Sequence, residues 1–394
     1  MSSERSHAPG CMRGINLHIV RNGLAQDSRV LRTTKTLLEC GLFSAVHVAA
    51  FEQPGLPEKE NLEGRQVWRV SLRSRRLPKD LLSQSFKYAE WRHRIIAAHR
   101  MLPLAVIHCH DLEPLPLAVR LKRLTGARLV YDAHELETER AHLGRLRKWL
   151  LCAIEERCVR QVDALITVSP SIQGWYREKF PWLPVGLVRN VPEVHRDPLE
   201  PVDLRARLHV AEHALLFIFQ GSISSGRSVD LILDAFADRA VVHHVVFLGE
   251  GALADKVRGA ARSCDRIHWL PPVRPESVLT TTAGADVGLS LIEDVSLSYR
   301  YCLPNKLFEY WAAGIPVLAS ALPDQASLVN QYRAGWVVPV ERAHLIATLC
   351  GLRRSDVEGV RAGVGNAVRE LNWSNEASRL LSIYQQALAT QGKR

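Results

Sequence analysis

The feature that most constrains this chain is a repeated alternation of short apolar strands with helical runs. Gly14 to Val20 (GINLHIV) alternates apolar and polar residues and leads into the loop RNGLAQDSRV. A helical run follows, RVLRTTKTLLECG, closed by Gly41, and then the apolar stretch SAVHVAAF. Asp27 or Ser28 is placed to cap that helix. The same order recurs as LAVIHCH, PLAVRLKRLTG, ARLVYDAHE, a long helix through RKWLLCAIEERCVRQ, and DALITVS. Strands separated by helices imply a parallel sheet with covered faces.

A break rich in proline and charge interrupts the pattern at residues 193–206, and the alternation then restarts. ALLFIFQGS, HHVVFLGEG, RIHWLPP, ADVGLSLI, IPVLAS and GWVVP read as strands, with helices such as SVDLILDAFA, ADKVRGAARSC and KLFEYWAAG between them. The last thirty residues read as helix. With 394 residues, too many for one ordinary core, two α/β domains are expected, 13–192 and 207–371, with 1–12 a disordered lead-in and a cleft between the domains. Ligands of open parallel sheets sit beyond the carboxyl ends of the strands, so candidate site residues should follow strands.

Composition excludes several classes. No apolar run approaches the ~18 residues that span a bilayer, and the polar MSSERSHAPGCMR has no apolar segment of a secretory signal. Eight scattered cysteines without a C-x-x-C pair suggest reduced thiols in a cytoplasmic protein. The net charge of +10 lies wholly in residues 1–195, which hold 30 Lys and Arg against 20 Asp and Glu. Within that half, Arg73, Arg75, Arg76, Lys79, Lys87, Arg92, Arg94 and Arg100 surround Leu81, Leu82, Phe86, Trp91, Ile95 and Ile96. This basic amphipathic stretch, 73–100, is expected either to touch anionic lipid headgroups at the inner face of the membrane or to pack as an ordinary surface helix. No nucleic-acid motif accompanies the charge, so no nucleic-acid partner is expected.

Five segments in order, QDSRVLRTTKTLLECG, HDLEPLPLAVRLKRLTGARLVYDAHE, DALITVSPSI, VRNVPE and LPNKLFEYWAAGIPVLAS, carry a resemblance. The chain resembles glycosyltransferases of the GT-B fold, sequence family 4, the large retaining group. The resemblance implies two Rossmann-like doubly wound domains facing each other across a cleft, with the C-terminal helix (372–394) crossing back to the N-terminal domain. It implies transfer of a sugar from a nucleoside-diphosphate sugar, with UDP the expected nucleotide. The acceptor would be a glycan, a lipid-linked or a small molecule, in bacterial polysaccharide or glycoconjugate biosynthesis or in natural-product glycosylation. The N-terminal half would be the acceptor side. No metal or other cofactor is expected, because basic side chains and helix N-termini take the cation's place.

Residue by residue, Arg227 stands where the family carries a lysine, and Lys306 sits at a helix start where orphan N–H groups favour anions; both are candidate phosphate ligands. Glu309 matches the second glutamate of the Glu-x7-Glu motif and would accept hydrogen bonds from ribose hydroxyls. Gly23 and Gly221 would let backbone approach the phosphates, and His134 would face the donor sugar as a neutral imidazole. Two positions depart from the pattern: Tyr301 replaces the first glutamate, and Ser222 replaces an arginine. Tyr301 then marks a subgroup, and the amides around Leu303 and Asn305 become candidates for phosphate or sugar. A nucleotide-sugar epimerase of the same fold and a non-catalytic sugar-nucleotide-binding relative are the alternative classes.

The stretch VIHCHDLEP places two histidines either side of a cysteine. On a strand His108 and His110 share one face and Cys109 points away, so a metal would need a third ligand from elsewhere. At the strand's end, His110, Asp111 and Glu113 are candidates for orienting an acceptor hydroxyl, with His134 on the next strand as neighbour; a helix cap is the rival role for Asp111.

Overall fold

The computed structural model describes residues 14–25, 27–78, 80–141, 143–193 and 199–389. The expected lead-in 1–12, part of the break (194–198) and Lys79 lie outside the described residues. Two sheets are present. The first contains β1 (Ile15–Ile19), β2 (Ala45–Phe51), β3 (Lys59–Leu62), β4 (Arg65–Val70), β5 (Leu104–His110), β6 (Arg128–Ala133), β7 (Ala164–Thr167) and β8 (Val185–Leu187). Its order is β3-β4-β2-β1-β5-β6-β7-β8, parallel except for the β3–β4 hairpin. The second contains β9 (Leu216–Gln220), β10 (His244–Leu248), β11 (Ile267–Leu270), β12 (Val287–Ser290), β13 (Val317–Ser320) and β14 (Gly335–Val338). It is parallel throughout, in the order β11-β10-β9-β12-β13-β14.

In each sheet the order reverses beside the first strand, between β1 and β5 and between β9 and β12. Connections on either side of such a point leave in opposite directions, which opens a crevice at the carboxyl ends.

Helix α1 (Ser28–Glu39) begins where Asp27 accepts a hydrogen bond from the Val30 amide at 3.1 Å, satisfying one of the orphan N–H groups of the first turn. The β3–β4 hairpin is not evident in the sequence. Arg65 and Arg69 of β4 are buried, which breaks the apolar alternation. Arg65 pairs with Glu63, and Arg69 pairs with Glu60 and bonds the Gly23 carbonyl.

The first sheet's two faces differ. Leu17, Ile19, Ile107, Cys109, Leu129 and Tyr131 point into an apolar core. Asn16, His18, His108, His110 and Asp132, all buried, form a polar stripe across β1, β5 and β6. The helix Trp373–Ala389 lies over that face. Trp373 Nε1 donates to Thr36 at 2.9 Å, Arg189 pairs with Glu376, and the Tyr384 hydroxyl reaches His108 Nδ1 at 2.7 Å and Asn16 Nδ2 at 3.5 Å. A buried polar stripe is tolerable only when its groups are satisfied, and Tyr384 closes this one from the far end of the chain. Tyr384→Phe therefore leaves two buried polar atoms short of a partner. It should cost about 1–3 kcal/mol, read as a lower denaturation midpoint; an unchanged midpoint would show that water replaces the hydroxyl.

Candidate active site

A cavity of about 810 Å³ opens between the carboxyl ends of the two sheets, within the range that encloses a small molecule. From the N-terminal half it is lined by the loop after β1, including Gly23, and by His134 and Glu135 after β6. From the C-terminal half come Gln220 and Gly221 after β9, Arg227, Tyr299, Leu303, Asn305, Lys306 and Glu309. Gly221 has φ +100°, a conformation other residues rarely adopt. At Gly23 a Cβ would lie 2.1 Å from Gln53 Oε1.

The C-terminal wall carries an unresolved charge. Lys306, in the first turn of the helix Asn305–Ala312, is 9% exposed, and its ammonium has no hydrogen-bond partner. It sits 3.7 Å above the Phe219 ring centroid. Arg227 lies over the Tyr299 ring at 5.5 Å and has no carboxylate partner among the described residues. Two cations beside a helix N-terminus form a site that favours an anion. Glu309 is held from below: Gln220 Nε2 donates to it, and Thr282 donates to the Gln220 oxygen. Burial raises the Glu309 carboxyl, while Gln220 and Arg32 act the other way.

The N-terminal wall is built on a buried ion pair. Arg29 donates to both oxygens of Asp132, at 2.6 and 2.8 Å, and to the Val188 carbonyl at 2.8 Å. Burial disfavours the Asp132 charge, yet Arg29 and the surrounding histidines hold it well below the usual carboxylate range. His134 Nε2 lies 3.4 Å from Asp132, and its Nδ1 lies 3.6 Å from Asp111. Burial opposes the charge on His134, but Asp111 and Asp132 outweigh it and push the ring up to about 9. Against the expectation of a neutral imidazole, two carboxylates within 4 Å favour the charged ring.

Behind His134 the rings of His18, His108 and His110 stack, with centroids 4.4 to 5.3 Å apart. Burial lowers all three, His108 to about 3. Among the described residues, His18, His108 and His110 form one group of metal-ligand type and His110, Asp132 and His134 another. Neither fits a metal well. In both groups the ligand atoms already have partners: His18 Nδ1 faces His110 Nε2 at 3.0 Å, His108 Nδ1 faces the Tyr384 hydroxyl, and Asp132 is engaged by a guanidinium.

Of the residues singled out in the sequence, Gly23, His134, Gly221, Arg227, Leu303, Asn305, Lys306 and Glu309 line this one cavity. His110 and Asp111 do not; they stand behind His134, with Asp111 Oδ1 accepting from the His134 amide at 3.3 Å. Glu113 pairs with Arg21. Tyr301 also lies off the cavity. Its carbonyl accepts from Ser169 at 2.7 Å and its ring packs on the N-terminal core, so Tyr299 is the tyrosine facing Arg227. Asp132 and Arg29 escaped sequence reading, although the carboxylate two residues before His134 was the available signal. Glu135, which accepts from Ser298 at 3.1 Å across the cleft, had none.

Residues 26–193 match the family model described as glycosyl transferase 4-like domain, and residues 214–353 that of glycosyl transferases group 1. The chain belongs to this glycosyltransferase family. It is 26% identical over 252 residues to D-inositol 3-phosphate glycosyltransferase of Geodermatophilus obscurus, covering 58% of this chain and 54% of that protein. It is 35% identical over 105 residues to phosphatidyl-myo-inositol mannosyltransferase of Mycobacterium leprae, covering 24% of this chain and 28% of that protein. The chain thus spans about half the length, or less, of the curated relatives it matches. In structure it is similar to sucrose-phosphate synthase of Thermosynechococcus elongatus (TM-score 0.77, 17% identity, 96% and 100% of the two chains). It is also similar to Anabaena HepE in complex with UDP-glucose (TM-score 0.72, 13% identity, 94% and 99%). These likenesses establish the GT-B architecture.

Burial and then Arg227 lower the Lys306 ammonium to about 7, with Glu309 pulling the other way. A bound anion raises it again. The protonated form predominates below that value, so affinity for UDP-glucose, whose diphosphate diester keeps its charge through this range, should be flat at lower pH. Above it, affinity should fall by up to about tenfold per pH unit until the bound-state value is reached. Calorimetric titration of UDP-glucose in buffers of different ionisation enthalpy should show proton uptake. Constant affinity through neutral and mildly alkaline pH would remove Lys306 from the anion site.

Proposed function

We propose that this protein transfers a sugar from a nucleoside-diphosphate sugar, UDP-linked, to a hydroxyl of a separate acceptor with retention of anomeric configuration. The observation that carries the reading is the buried, unpartnered Lys306 beside Arg227, with Glu309 held by Gln220 in the same cavity. The diphosphate lies against the two cations and the N-terminus of the helix Asn305–Ala312, where the charge of the leaving group is stabilised as it develops. Glu309 accepts hydrogen bonds from the ribose. The sugar then extends towards His134 across the cleft. The acceptor hydroxyl attacks from the face the phosphate leaves, and the departing phosphate takes its proton, so no hydrolase-type carboxylate pair is required. No metal is required in this reading, since the cations are side chains. UDP is favoured by the likeness to a protein solved with UDP-glucose, and a polyol or inositol-type acceptor by the names of the matched relatives.

Thermal-shift titration of UDP, GDP and TDP should show UDP stabilising most, because a tight ligand raises stability by mass action. Glu309→Ala should weaken that ligand by about tenfold or more with the unliganded melting temperature unchanged; unaltered affinity would take Glu309 out of the site. Nucleoside diphosphate should be released only when acceptor is present, with the α or β configuration of the donor kept in the product. A new sugar nucleotide formed from donor alone would instead make the protein an epimerase.

The acceptor is proposed to be reached at an anionic membrane surface. No helix among the described residues is long and apolar enough to cross a membrane. In α2 (Leu81–His99) Trp91 and Ile95 are buried against the sheet, so the helix packs as an ordinary layer there. Its first turns nevertheless expose Leu82 (76%) and Phe86 (70%) beside Arg73, Arg75 and Arg76. Two helices along the same layer, α3 (Leu115–Thr125) and α4 (Arg145–Val159) follow. The first turns of α4 expose Leu146, Trp149 and Leu150 beside Arg145 and Arg147. Apolar side chains ringed by arginine suit an anionic interface. The protein should sediment with phosphatidylglycerol vesicles at low salt and be released by high salt, and Phe86→Ser with Trp149→Ser should reduce the bound fraction. No binding at low salt would end this part of the reading.

A further inference from the structure

Three histidines stand in the polar stripe and a fourth, His134, follows β6; of these only His134 lines the cavity. The hydrogen bonds behind it have a direction that can be worked out from one fixed end. The Asn16 amide nitrogen lies 3.3 Å from the Val106 carbonyl. A carbonyl can only accept, so the amide cannot be turned round, and Asn16 Oδ1 faces His18. That oxygen in turn can only accept, so His18 Nε2, 2.7 Å away, carries a hydrogen. Burial keeps His18 neutral, which leaves a lone pair on its Nδ1. His110 Nε2, 3.0 Å from that lone pair, is therefore the donor. His110 is neutral for the same reason, so its Nδ1 is a lone pair and accepts from His134 Nε2 at 3.3 Å.

A second branch runs the same way. The Tyr384 hydroxyl is donor to His108 Nδ1, and His108 Nε2 is donor to Asp132 at 3.3 Å. The competing arrangement has His110 donating from Nδ1 to Asp132, 3.5 Å away. His18 would then have to protonate both nitrogens inside an apolar surround, or turn a lone pair onto the Asn16 oxygen. Both are costly.

We propose that Asn16, His18 and His110 are positioning residues, forming a hydrogen-bond line of fixed polarity that locks a proton on Nε2 of His134. Only the Nδ1 proton, beside Asp111, can then change. The charged groups facing the ring are Asp111 after β5, Asp132 on β6, Arg29 and Asp27 at the start of α1, and the adjacent Glu135. Neutral His110 offers a lone pair to the ring and so stabilises its charged form. Resting on the transfer reading, His134 presents a preset positive charge to the donor and is not a base: a ring already protonated at both nitrogens cannot accept the acceptor's proton.

The test is ¹⁵N NMR of histidine-labelled protein without substrate, with His134→Gln used to assign that ring. Near neutral pH the ring-nitrogen shifts should show His18 and His110 as neutral Nε2–H tautomers and His134 doubly protonated. A Nδ1–H tautomer at His110, or a neutral His134, overturns the proposal. In His18→Leu, His110 loses the acceptor for its Nε2 hydrogen and should switch to the Nδ1–H tautomer. The His134 titration should then move down by about one pH unit, and the alkaline limb of the kcat/KM profile should move with it. His18→Gln, whose amide keeps one donor and one acceptor, should restore both. A His134 titration unmoved in a folded His18→Leu protein also overturns the proposal. Because the tautomers are read without donor or acceptor, failure of the transfer reading would remove the kinetic shift and leave the NMR result standing.

Discussion

The buried pair of Arg29 and Asp132 is the interaction on which the N-terminal half of the site depends. A carboxylate 1% exposed is costly unless its charge is met. Arg29 meets it with a two-pronged contact and uses its third nitrogen on the Val188 carbonyl. This joins α1, β6 and the segment after β8 at one point. Asp132 also accepts from His108 and lies 3.4 Å from the His134 ring. Its placement thus decides which histidine carries charge. The three rings behind it are fully buried, which favours their neutral forms; the fourth, at the cavity, gains a second carboxylate in Asp111, which favours its charged form.

Across the cleft the electrostatics are the reverse. The Lys306 ammonium has no hydrogen-bond partner, and burial and then Arg227 lower its proton affinity against the pull of Glu309. Glu309 is meanwhile held in a fixed direction by Gln220, which Thr282 holds in turn. One wall is internally compensated and the other is not. That asymmetry leaves the C-terminal wall as the side of the cavity with uncompensated positive charge.

Much of this was legible in the chain because local physics and global fold agree. Strand-length apolar runs between helices announced both sheets, and the run KLFEYWAAG put Lys306 and Glu309 on one helix. What stayed hidden has common causes. The β3–β4 hairpin was masked by Arg65 and Arg69, whose partners come from other segments. Tyr301 was assigned by motif position, but its ring turns to the opposite domain. Tyr299, two residues earlier on the short helix Leu297–Arg300, faces the cavity in its place. His134 was taken as neutral because an isolated histidine near neutrality is, and neither of its carboxylates can be recognised as a neighbour from spacing alone.

The sequence by itself determined the two parallel-sheet domains, the crevice at their carboxyl ends, and several of the residues that line it, because strand and helix periodicity and end signals are local. It also determined that His108 and His110 share a face. Only the tertiary structure decided what that face does. Asn16, His18, Asp132, Arg29 and Tyr384 come from β1, β6, α1 and the final helix, up to 368 positions apart, and they meet only when the sheet is assembled and the last helix crosses it. Proton positions and charges depend on those meetings, since hydrogen-bond direction and burial are properties of neighbours in space. What looks in VIHCHDLEP like the start of a metal site is, once folded, part of the backing that sets the charge of His134.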